Sequence, residues 1–547
     1  MKAIYKSILA AALVAPALTG CIGETFPTDG VTQGQLSAND NAVEALVWAM
    51  PAWLNNLGTV DSNEHYDWGY GSIMHIRDVM TGDFVCPTVG YNWYQRWGTV
   101  INVGESYLST QFIWNWYTQQ VLTTNKVIGG IEADTDSPTR RSFLGYGHAF
   151  RAFVYMDMAR FYEFLPNNAV SSVNADGNDV KYLTVPIVTE LTTEEEAGNN
   201  PRADHPTMFN FILSDLQKAE GYFSENSDGR LSKALPDLSV VYGLYARLYM
   251  WEAGYQEETT GDKSLYATAA EYARKAITQS GCTPLNEAEW TNTATGFNDM
   301  SSNSWMWGMQ YMKEDRVVTS GILNWTSWMS NETDYGYAIA GAFAMIDASL
   351  YNSINDRDFR KLSYVAPEGS VLSGRETFVS EHFKPQLGEY CSLKFRPGSG
   401  NYIDPKVGSA CAVPLMRVEE MYFIEAEAKA HANPADGKAL LESFMQQNRY
   451  ASYRCNASSE EDVIEEIILQ KRIELWGEGQ SFFDIKRLNM SVIRAYDGSN
   501  YSPAQRYNTN GRPAWMNFCI VRSEGNNNKG VVGYNNPSPE GAYVAIK

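Results

Sequence analysis

The stretch QKRIELWGEGQSFFDIKRLN, residues 470–489, gathers Glu474, Glu478 and Asp484 among Lys471, Arg472, Lys486 and Arg487. Paired carboxylates are the equipment of glycoside hydrolysis, and in retaining enzymes the two carboxyl groups stand about 5–5.5 Å apart. On a helix, Glu474 and Glu478 would be one turn apart, with Cβ atoms about 5–6 Å from each other. The neighbours argue against that chemistry. A cation beside a carboxylate lowers its pKa, whereas a general acid needs it raised. Glu474, Glu478, Asp484 and Arg487 are therefore expected to form a structural brace. Asp356 and Asp358 in NDRDFR are the other acid pair that a surface glycosidase could use. With only six histidines, the chain shows no Ser/His/Asp, Cys/His or metal constellation, so no catalytic residue is expected.

Aromatic side chains offer a different chemistry, the stacking of flat apolar faces. They make up 13% of the chain, and Tyr alone numbers 33, too many for all to be core. YNWYQRW, residues 91–97, combines Tyr91, Asn92, Trp93, Tyr94, Arg96 and Trp97, and so mixes ring faces with hydrogen-bonding groups. A second cluster, between residues 304 and 337, holds Trp305, Trp307, Trp325, Trp328, Tyr335 and Tyr337. Core filling is the bland reading for any single ring. For the two clusters together, a ligand platform built on Tyr91, Asn92, Trp93, Trp97, Trp325 and Trp328 is expected.

These residues have to be held by something, and the periodicity says helices. Apolar residues recur at helical spacing in 106–131, 143–166, 205–223, 235–254 and 265–278. After a gap of about 130 residues three more helices follow, in MRVEEMYFIEAEAKAHA, KALLESFMQQNRYA and EDVIEEIILQKRIELWGEG. Small residues interleave with large ones, as where Ala149, Ala152 and Ala159 sit among Phe153, Met156 and Tyr162. That pattern lets helices approach closely in pairs of tetratricopeptide type, about 34 residues each. The expected fold is mostly α, with about four discontinuous tetratricopeptide-like helix pairs, the third split across the gap. They pack against a loop-rich, irregular ligand-binding region with short β-hairpins. The scaffold is placed at about 105–279 and 416–479, and the loop region at about 60–104 and 280–410, within one domain from 41 to 547. Long irregular insertions of this kind are usually functional.

The N-terminus, MKAIYKSILAAALVAPALTGC, has Lys2 and Lys6 before an apolar run from Ile8 to Leu18, the layout of a secretory signal. Leu18-Thr19-Gly20-Cys21 resembles the bacterial lipobox, which makes Cys21 the expected lipidated first residue after a signal peptide of residues 1–20. Residues 21–40 read as a polar tether. Stable anchoring needs two or more acyl chains. Removing the two lysines of residues 1–20 takes the formal charge from −21 to −23. So acidic a surface repels phosphate backbones, which excludes nucleic acid as a partner. Cys86, Cys282, Cys391, Cys411, Cys455 and Cys519 are scattered, with no CxxC and no zinc-ligand spacing. Buried thiols are expected, with room for one or two disulfides. No cofactor is expected, although the Asp/Asn-rich loops leave room for a structural Ca²⁺.

Five features in order resemble one family, the SusD-like (RagB/SusD) outer-membrane lipoproteins. They are the lipobox ending in Cys21, FRAFVYMDMARFYEFLP, VPIVTE at 185–190, LMRVEEMYFIEAEAKA, and RIELWGEGQSFFDIKR. The last departs from the family pattern at Gly479-Gln480-Ser481 and at Leu488, where the family usually carries Arg and Trp. The resemblance implies a surface protein that binds oligosaccharide, or in some members peptide, and works as a lid over a SusC-like TonB-dependent transporter. It also implies that the 470–489 segment caps the helical scaffold and has no hydrolytic role.

Overall fold

The computed structural model describes residues 39–61, 63–225 and 230–547; the signal segment, Cys21 and most of the tether lie outside the described residues. Helix α1 spans Asp40–Trp53 and α2 Tyr70–Val79. The paired helices follow: α3 Leu108–Gly129 with α4 Pro138–Tyr162, and α5 His205–Ser224 with α6 Leu238–Thr260. After them come α7 Leu265–Ser280, α8 Val418–Ala432, α9 Pro434–Asn448 and α10 Glu460–Glu474. The third pair is the split one: α7 packs on α8 across the insertion between them. Tyr266 stacks on His431 while Arg274 pairs with Glu425, so α7 and α8 run antiparallel.

Local chemistry sets where the helices start. Ser137, Asp204 and Asn433 accept backbone N–H bonds as N-caps of α4, α5 and α9, each followed by proline in the first turn, where its missing N–H costs nothing. Small residues govern how closely the helices pack. A Cβ on Gly437 of α9 would sit 2.5 Å from the Ala430 Cβ of α8, so that contact requires glycine. Helix α4 is buried along nearly its whole length, and this is why its apolar residues are not confined to one stripe.

The insertion is anchored by two small antiparallel sheets. Strand β1 (Phe84–Val85) pairs with β3 (Met345–Ile346), and β2 (Trp305–Gln310) with β4 (Ala412–Arg417). Neither is a hairpin; each joins segments far apart in sequence, which is how the irregular region is fastened to the start of α8. Helix α2 falls inside the expected loop region, yet all ten of its residues are buried. A helix covered on every side has no amphipathic stripe to announce it. The tail beyond residue 488 packs back on the core, with Phe518 against Phe161 and Trp515 Nε1 donating to Met80 O at 2.9 Å. The six cysteines among the described residues are free, and all except Cys282 are buried.

Candidate functional site

At the end of α10 the chain does not continue as a helix through Glu478. Gly477 and Gly479 adopt φ of 76° and 69°, in the left-handed region. A Cβ on Gly477 would lie 2.5 Å from Phe395, so the turn needs glycine for space as well as for φ. Glu474 and Glu478 are thus brought together by a turn rather than by helical spacing. Both are buried. Arg449 grips Glu474 through Nε at 2.8 Å and Nη2 at 2.7 Å, and Arg360 reaches it at 3.1 Å. Arg417 bridges the two acids, at 3.2 Å from Glu474 and 2.9 Å from Glu478, and Lys394 holds Glu478 at 2.7 Å.

Glu474 and Glu478 are each ion-paired, but their partners differ from the sequence neighbours. Lys471 pairs with Asp484 at 2.8 Å, Arg487 with Glu427 and Asp484, and Arg472 with Asp83. Lys486 donates to the backbone carbonyls of Arg160, Phe161 and Glu163. Burial alone would raise the Glu474 pKa, yet Arg449, Arg417 and Arg360 hold it well below the usual carboxylate range. Burial also pushes Lys394 down to about 8 against the pull of Glu478. A carboxylate locked in this way has no proton to give and no path to a substrate. The other acid pair divides: Asp358 is buried against Arg360 at 2.7 Å, and Asp356 pairs with Lys361 at 2.8 Å.

The two aromatic clusters do meet, though not through the residues expected. Trp97, Trp325 and Trp328 are only 1–2% exposed, and Asn92 is equally buried. These four are corrected from ligand contacts to core. The short helix Gln95–Gly98 turns Trp97 inward with Tyr94, and Arg96 lies over Tyr66 at 4.7 Å. Asn92 is a loop staple: its Nδ2 donates to Pro87 O at 2.6 Å and its Oδ1 accepts from Tyr94 N at 3.0 Å. Trp325 and Trp328 lie on a five-residue helix, Trp325–Met329, buried throughout. Trp325 lies edge-on to Phe395, against the space left by Gly71, while Trp328 packs edge-on against Tyr94 at 4.7 Å. The Gly/Ser/Asn content of the insertion suggested solvent-facing loops, but this part of it wraps α2.

Trp93 behaves differently because it precedes the short helix and leaves it on the other side. It is half-buried, and Tyr91 is 62% exposed. Trp93 stacks on His65 at 4.5 Å and 20°. His65 and Tyr337 share a 2.7 Å hydrogen bond, and Tyr337 stacks on Trp328 at 3.6 Å and 11°. A continuous column of rings therefore runs from the buried insertion helix to the surface at Trp93. Burial lowers the His65 pKa, with Glu64 opposing, so the imidazole is neutral at neutral pH. Arg96 and Glu64, 4.0 Å apart and both partly exposed, add polar groups beside it. His65 went unassigned in the sequence because a lone histidine carries no periodic signal, while Tyr337 belongs to the second aromatic cluster but not to the expected platform.

Two further polar clusters lie on the scaffold. His205 bridges Glu163 at 2.6 Å and Glu252 at 2.9 Å beside a cavity of about 50 Å³. Burial would lower its pKa, but the two carboxylates raise it to about 9. Among the described residues, Glu257, His431 and Glu460 could together hold a metal ion.

The sequence model of the SusD family matches residues 264–542, and the chain belongs to that family. No curated protein matches it. Among solved structures it is similar to a SusD-like carbohydrate binding protein from Bacteroides vulgatus, at TM-score 0.69 and 21% identity over 91% of this chain and 98% of that one. A putative sugar binding protein from Bacteroides vulgatus gives TM-score 0.63 and 17% identity over 91% and 98% of the two chains. A SusD superfamily protein from Bacteroides thetaiotaomicron gives 0.64 and 15% over 91% and 99%. These likenesses share the helical fold described above. No helix among the described residues is long and apolar enough to cross a membrane.

Proposed function

We propose that the chain is a cell-surface lipoprotein that captures oligosaccharide and delivers it to a SusC-like TonB-dependent transporter in the outer membrane. The observation that carries this reading is the column of rings ending at partly buried Trp93, with exposed Tyr91 in the same loop. A sugar ring lays its apolar face on such a platform while neighbouring polar groups take its hydroxyls. Backing by His65, Tyr337 and Trp328 fixes the platform in advance, so little ordering entropy is lost on binding. Family membership and the sugar-binding descriptions of similar structures support the ligand class. Leu18-Thr19-Gly20-Cys21 supports the anchor.

A ring buries ~150–250 Å², and a sugar covers one face, which at ~25 cal/mol/Å² gives roughly 2 kcal/mol per platform. Two platforms give about 4 kcal/mol, equivalent to ~1 mM, weak enough for cargo that must be passed on. A glycan array probed with the purified protein identifies the sugar. Trp93→Ala and Tyr91→Ala are then expected to weaken binding at least tenfold, about 1.4 kcal/mol each. A folded Trp93→Ala variant with unchanged affinity would overturn the site. An array without hits, alongside peptide binding lost in the same variants, would replace the ligand class. Cys21→Ala is expected to release the protein from the membrane fraction, and retention after a high-salt wash would rule out the anchor.

A further inference from the structure

We propose that Glu257, His431 and Glu460 form a binding site for a first-row divalent cation, Zn²⁺ in particular, in the groove between the ends of α6, α8 and α10. The three come from the last turn of α6, the last turn of α8 and the first residue of α10, so they belong to three different helix pairs. Their ligand atoms all lie within 4.8 Å of one another. His431 Nδ1 is 3.5 Å from Glu257 Oε2 and 3.4 Å from Glu460 Oε1. Atoms bound to Zn²⁺ at ~2.0–2.1 Å in a tetrahedron stand about 3.4 Å apart, so these two edges already have the right length.

His431 is the second, independent sign. Its side chain is 3% exposed, its ring stacks on Tyr266 at 3.5 Å and 3°, and neither ring nitrogen makes a hydrogen bond. Buried polar atoms almost always have partners. An Nδ1 without a hydrogen bond, set between two carboxylates, is placed to ligate a cation. Tyr266 Oη donates to Glu257 Oε2 at 2.7 Å and orients that carboxylate, while Glu427 Oε1 lies 3.9 Å from the far nitrogen of His431. A carboxylate behind a ligating histidine is the usual outer support of such sites. The donor set, one imidazole and two carboxylates, suits a borderline ion; Ca²⁺ takes six to eight oxygens. The groove, of about 730 Å³, leaves room for water to complete the coordination.

One cation is already there. Lys263 Nζ reaches Glu460 at 2.5 Å and Glu257 at 3.2 Å. It sits on the turn between α6 and α7 with its side chain 39% exposed, so it can swing into solvent when a metal takes its place. Metal and lysine compete for the same two carboxylates, and a merely structural cluster would not show that competition.

The test is calorimetric titration of ZnCl₂ into the purified, chelator-treated protein, with thermal melts in parallel. A single Zn²⁺ is expected per chain, with a rise in melting temperature. Glu460→Gln, at the rim of the groove, and His431→Asn should each weaken binding at least about tenfold. Lys263→Ala should tighten it. If His431→Asn does not fold, Glu460→Gln and Lys263→Ala decide the matter. Absence of binding at millimolar zinc in both wild type and Lys263→Ala would overturn the site, as would unchanged affinity in Glu460→Gln.

Discussion

The turn after α10 and the ring column at Trp93 are both dense clusters of one kind of chemistry, and they handle burial in opposite ways. In the turn, every charged side chain goes inside and is matched. Glu474 and Glu478 meet Arg360, Arg417, Arg449 and Lys394, and these partners tie the insertion to the helices. In the column, burial is graded: Trp328 and Tyr337 are fully inside, while His65 and Trp93 at the outer end are only partly buried. Charges tolerate burial only as complete sets, so one missing member is costly. The apolar face of a ring loses nothing by burial, so a column can end anywhere, and its last ring is free for another task.

The comparison can be broken most forcefully at Glu474. Glu474→Gln leaves three buried guanidinium groups short of a counter-charge and is expected to cost about 3–5 kcal/mol in denaturant unfolding. A loss under ~1 kcal/mol would mean that the brace is dispensable. Trp328→Ala and Trp97→Ala come next: each empties a core site and should cost about 3–5 kcal/mol. If either variant folds with wild-type stability while losing ligand, the assignment of these two rings to the core fails.

A third prediction concerns pH. The His205 pKa is raised in the folded state to about 9 from the ordinary histidine value of 6.5. Its contribution is therefore fully present below pH 6.5 and is lost as pH rises through about 9. At about 1.4 kcal/mol per pKa unit, the loss amounts to roughly 3 kcal/mol. Comparing unfolding of the wild type with His205→Gln isolates this from Lys394, whose lowered pKa acts with the opposite sign. An identical pH dependence in the two proteins would remove the charged imidazole. The smallest effect sharpens the contrast most. Trp93→Ala is expected to cost less stability than Trp328→Ala, because its ring is only partly buried, while costing at least tenfold in affinity, about 1.4 kcal/mol. A stability loss as large as that of Trp328→Ala would make Trp93 one more core ring.

Much of this molecule is written locally. The spacing of apolar and small residues places α3 to α10 and their pairing, including the third pair across its long insertion, because helical periodicity is a property of adjacent turns. The crowding of bases around Glu474 and Glu478 announces a cluster of ion pairs, but not its pairing, since neither acid meets a base of its own segment. What only the tertiary structure decides is which groups meet. Arg360 and Arg417, partners of Glu474, lie 114 and 57 residues away, and the helix expected to carry Glu478 ends instead at Glu474, before the turn with left-handed Gly477. Trp93 and Trp97 look equivalent in sequence, yet one lies in a turn and the other in a short helix facing α2. Exposure depends on what covers a ring from elsewhere in the chain, and no local pattern of residues encodes that.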